Sequence, residues 1–115
     1  MAVRLFTAEA NALLTSIKRG IEKAEIETWT IDRDGDFTHT ASGGQWKSRA
    51  YLRPKVMDDR LLLNIIIRKT ESQKREVYAV YHGRFIEMVI SHFPKLFSTA
   101  VATPSYTNED SELNS

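Results

Sequence analysis

The chain has 115 residues, 42% hydrophobic and 27% charged, with no cysteine and a net charge of +1, enough for one domain that closes its own core. Without cysteine, disulfides, thiolate nucleophiles and thiolate-dependent zinc sites are excluded, which fits a reducing cytoplasmic setting. MAVRLFTAEAN lacks the pattern of a secretory signal, and the densest apolar runs, LLLNIII and FIEMVI, are far below the ~18 residues of a membrane helix, so a soluble protein with no membrane partner is expected.

The first predicted element is a helix over 8–23. Phe6, Ala10, Leu13, Leu14, Ile17, Ile21 and Ala24 recur at three- and four-residue steps, Thr7 can cap its start, and Lys18, Arg19 and Lys23 suit the dipole at its end. IETWTID and DFTHTA follow as two strands around Asp34-Gly35, a strong two-residue hairpin signal. In that register Trp29, Ile31, Phe37, His39 and Ala41 share the inward face. SGG turns the chain into QWKSRAYLRPK, read as a third strand ending near Pro54. RLLLNIIIRK is the fourth, with Leu61, Leu63, Ile65 and Ile67 on one face and Arg60, Leu62, Asn64, Ile66 and Arg68 on the other. REVYAVYH, rich in β-branched and aromatic residues, reads as a fifth strand. Gly83 then breaks the chain into a second helix over 84–97, carried by Phe85, Ile86, Val89, Phe93 and Leu96 and ended or kinked by Pro94.

These elements predict an α+β fold: a five-stranded antiparallel meander sheet with an N-terminal and a C-terminal helix packed on one face. Residues 1–98 form the single domain, and 99–115 form a flexible acidic tail holding Glu109, Asp110 and Glu112 without a cation. Two helices cover one face of such a sheet. On the other face Leu62 and Ile66, with Tyr78 a possible neighbour, are then either wrapped by a curling sheet or covered by another surface, which suits homodimerisation or protein interaction.

Charge is unevenly spread. Between Gly44 and Arg75 nine Lys/Arg face Asp58, Asp59 and Glu71 alone. In an extended chain Lys47, Arg49, Tyr51, Arg53 and Lys55 project together, with cations about 6.6–7 Å apart, a spacing comparable to that of phosphates along a strand. Tyr51 can stack on a base, and Arg60 and Arg68 extend the patch if the next strand shares the face. The expectation is a non-enzymatic binding module for nucleic acid or an acidic protein, set against the plainer reading of a solvated strand face.

Catalytic patterns are missing from the sequence. No G-x-S-x-G, phosphate loop or helical His–Glu–His spacing occurs, and no cofactor is implied. Asp32, Asp34 and Asp36 match the first positions of a calcium loop, but Phe37 and Gly43 stand where it needs glycine and a bidentate glutamate, so a solvated turn is expected. His82 and His92 would be the first suspects if a polar pocket lay between sheet and helices.

Overall fold

The computed structural model describes residues 2–40 and 44–104, with the backbone of 111–113. Ala41, part of the SGG turn and most of the acidic tail lie outside the described residues. In chain order the elements are β1 (Ala2–Phe6), α1 (Ala10–Glu22), β2 (Trp29–Ile31), β3 (Phe37–His39), β4 (Ala50–Val56), β5 (Arg60–Arg68), α2 (Lys74–His92), β6 (Thr99–Ala102) and β7 (Ser111–Leu113). They make a compact α+β domain on one sheet of order β2-β3-β4-β5-β1-β6, with every neighbour on that path antiparallel; β7 pairs parallel with β5 off the path.

Period-two patterning sets the core. Leu61, Leu63, Ile65 and Ile67 of β5 are fully buried and join one cluster with Val3, Leu5, Phe37, Ala50 and Leu52 from other strands. Leu13 and Ile17 of α1 and Val77, Tyr81 and Phe85 of α2 belong to the same cluster. Thr7 does not act as the N-cap: Glu9 holds that position without a side-chain bond, and Thr7 Oγ1 accepts from the Glu9 N–H just outside the helix. The Asp34-Gly35 hairpin forms with a longer loop than expected. Asp32 N–H donates to the Asp36 carbonyl, Gly35 N–H donates to the Asp32 carbonyl, and Gly35 adopts φ +84°, a turn closed by a left-handed glycine. Pro54 falls within β4 rather than at its end, opposite Leu63 and beyond the Phe37–Leu52 pairing that joins β3 to β4, where a missing N–H costs no ladder bond.

Three expectations are corrected. REVYAVYH is not a fifth strand but the opening of α2, whose buried residues Val77, Tyr78, Tyr81, His82, Phe85, Met88 and Val89 recur at helical steps straight through Gly83. Three strands were not anticipated: β1, which sits between β5 and β6, and β6 and β7, which both come from the segment assigned to the tail. β6 is tied down at both ends, since Ser98 N–H donates to the Phe6 carbonyl and Thr103 N–H to that of Ala2. Finally, Leu62 and Ile66 are not an exposed apolar patch. They are 7% and 5% exposed, and Tyr78 lies on α2 within the core cluster rather than beside them.

Candidate binding surfaces

The basic stripe is split by the backbone. Residues 45–49 form a turn, and Ser48 takes φ +54° while its N–H donates to the His39 carbonyl. Lys47 and Arg49 therefore do not continue the alternation of β4. Arg49 instead makes a two-pronged ion pair, Nε to Glu71 Oε1 at 2.9 Å and NH2 to Oε2, and stacks over Trp46. Hydrogen bonding to Arg49 holds the Glu71 carboxyl below its usual range. The Tyr81 hydroxyl seals the same corner, donating to the Trp46 carbonyl and accepting from the Arg49 N–H.

The strand register assembles the other half of the stripe. Tyr51, Arg53 and Lys55 stand opposite Ile66, Asn64 and Leu62, and Arg4 of β1 flanks Leu62 on its far side. Arg60 and Arg68 share this alternation, on the face turned away from the core cluster. Five of the seven expected cation and stacking residues thus meet there, joined by Arg4, which the sequence alone did not single out. Arg53 grips Asp36 through Nε and NH2 at 3.0 and 2.8 Å, and Arg60 bonds Asp59 at 3.1 Å. Arg68 donates to the Ser48 carbonyl at 3.2 Å. Among the described residues, Arg4 and Arg68 have no carboxylate partner.

The hairpin acids draw together, with carboxylate oxygens of Asp32, Asp34 and Asp36 within 4.8 Å of one another. Their bonds are those of a turn. Asp32 Oδ1 accepts from the N–H groups of Asp34 and Asp36, and Asp36 is occupied by Arg53.

A concavity of about 350 Å³ lies between α2 and the hairpin edge. Arg84, Glu87, Met88, Ser91 and His92 form one helical face, and Thr28, Trp29 and His39 close the other side. His82, the other histidine of interest, lies elsewhere: it is buried and its Nδ1–H donates to the Tyr78 carbonyl. His39, 2% exposed, lies 3.3 Å from Arg84 NH1 through Nε2. Burial, and then the Arg84 charge, lower its pKa from the ordinary 6.5. A histidine favoured neutral in the fold contributes stability above the unfolded value and loses it as pH falls through the folded one. Urea unfolding should therefore show stability declining as pH drops below about 6.5, and His39→Gln should remove that decline. Identical pH dependence in the two proteins would contradict the assignment.

Sequence reasoning placed Arg84, Glu87 and Ser91 on the helix expected over 84–97 without singling them out, because Thr28, Trp29 and His39, which complete the cleft, lie far away in the chain. Among the described residues no helix is long and apolar enough to cross a membrane. No family model, curated protein or solved structure matches the chain.

Proposed function

We propose that the chain is a non-enzymatic binding module that holds a polyanion, single-stranded nucleic acid foremost, on the sheet face turned away from its core. The observation that carries this reading is the register. It ranges Arg4, Arg53, Lys55 and Arg68 across three adjacent strands around Tyr51, with Arg60 at one end. Arg4 stands opposite Leu62, six residues from Arg68 along β5, a span of about 20 Å that matches several nucleotides rather than one phosphate. Tyr51, half-buried between Arg53 and Ile66, offers a ring for base stacking. Lys47 and Arg49 contribute little, the first from the turn and the second through its pairing with Glu71.

The acids beside Arg53 and Arg60 limit the net field, so affinity rests chiefly on contacts to Arg4 and Arg68 and falls steeply with salt. Fluorescence anisotropy of a labelled oligo-dT strand, titrated at several salt concentrations, should show micromolar binding at low salt. Three or four phosphate contacts give a slope of log affinity against log salt of about −2 to −3. Binding that is absent at low salt, or indifferent to salt, would contradict the proposal. An acidic protein segment offers similar charge but no bases, and should compete for the same face without needing Tyr51. Homodimerisation through Leu62 and Ile66 has weaker support, because both side chains are already enclosed within the single chain.

A further inference from the structure

We propose that the cleft between α2 and the hairpin edge binds a small zwitterion, an α-amino acid with an apolar side chain, whose carboxylate meets Arg84 and whose amine meets Glu87.

Three observations converge. First, Arg84 and Glu87 stand three residues apart on one helical face, where opposite charges ordinarily pair. They form no ion pair; Arg84 is turned to His39 instead. A guanidinium can only donate, so His39 Nε2 is the acceptor and the ring proton sits on Nδ1. A neutral imidazole steers the guanidinium without neutralising it, leaving the remaining Arg84 N–H groups and the Glu87 carboxylate open to a third party. Second, His39 Nδ1 is enclosed and has no hydrogen-bond partner, so a residue lining the cleft carries an unmet donor. That enclosed proton stays on Nδ1 and keeps Nε2 the acceptor that holds Arg84 at the cleft wall. Third, the lining mixes charge with apolar surface. Trp29 and Met88 supply the floor, while Thr28, Ser91 and His92 add polar groups at the rim.

Size and charge select the ligand. About 350 Å³ lies at the small end of ligand pockets. Glu87 disfavours a phosphate or a second carboxylate, and Arg84 disfavours a simple amine, so a molecule carrying one of each charge is matched best. An apolar side chain would rest against Trp29 and Met88. The site is built from α2 and the hairpin and uses none of the residues assigned to the polyanion face, so either proposal can fail alone.

The experiment is a 1H–15N NMR titration of the full chain with L-leucine, L-methionine and L-phenylalanine, and with acetate and methylamine as half-ligands. At least one amino acid should shift Arg84, Glu87, Ser91 and the Trp29 indole, and bind about tenfold or more tighter than either half-ligand, as expected for a second charge-assisted bond. Glu87→Gln should weaken the amino acid by about tenfold and leave acetate unchanged, while Arg84→Met should abolish both responses. Both residues are exposed, and circular dichroism confirms that the variants fold. No shift with any of the three amino acids, shifts confined to other surfaces, or acetate binding as tightly as the amino acid would overturn the proposal.

Discussion

Replacing Phe85 with alanine should destabilise the protein by about 3–5 kcal/mol, measured by urea unfolding. Phe85 is fully buried, so truncation leaves a cavity as well as losing apolar burial. Its ring packs edge-on to Trp29 at 5.1 Å and tilted against Phe37 at 5.4 Å, contacts that add to the area term. The same side chain joins α2 to β2 and β3, so the loss is felt across the layer that also frames the cleft. Ile90→Ala is the control: Ile90 is 51% exposed on the same helix, and its truncation should change stability by less than about 0.5 kcal/mol. Equal effects at the two positions would mean that α2 does not present its Phe85 face to the sheet.

That helix also shows where sequence patterns mislead. Val77, Tyr78, Val80 and Tyr81 satisfy the composition of a strand, and Gly83 resembles a break. The stronger signal is the run Val77, Tyr81, Phe85, Met88 and Val89, a helical stripe that appears only when Gly83 is carried through. Gly83 is exposed and meets nothing where a side chain would stand, so it costs the helix about 1 kcal/mol without stopping it. Elsewhere periodicity was sufficient. The stripe of α1 and the alternation of β5 follow from residue order, because each repeats its apolar pattern several times, and Asp34-Gly35 marks the hairpin though not the length of its loop. The edge strand β6 was harder to foresee, since Thr99–Ala102 offers only small side chains and depends on β1 for its place.

The candidate surface was half legible for a similar reason. Alternation put Tyr51, Arg53 and Lys55 together correctly because β4 is extended there. It failed at Lys47 and Arg49, where the left-handed backbone of Ser48 ends the period. Glu71, the partner that absorbs Arg49, lies 22 residues away in the chain, and nothing local to the stripe announces it. Arg4 was invisible until β1 was seen to lie beside β5.

Arg4 and Arg68 should therefore dominate the binding of a polyanion. Arg4 Nε is enclosed without a partner while its residue sits half-exposed on the sheet face. Arg68 is exposed and, among the described residues, holds only a backbone carbonyl. Changing both to alanine removes two phosphate contacts and should weaken oligo-dT binding about tenfold or more at low salt. The fold should tolerate the change, because among the described residues neither belongs to an ion pair. Lys47→Ala, in the turn outside β4, should leave binding nearly unchanged.

The most direct measurement is the salt dependence of oligo-dT affinity for the natural chain, the Arg4→Ala/Arg68→Ala variant and Lys47→Ala. The double variant should flatten the log–log slope by about 1.4, two single-strand phosphates' worth, with Lys47→Ala matching the natural chain. A slope that falls with Lys47→Ala and holds in the double variant would place any binding off the sheet face and contradict the account.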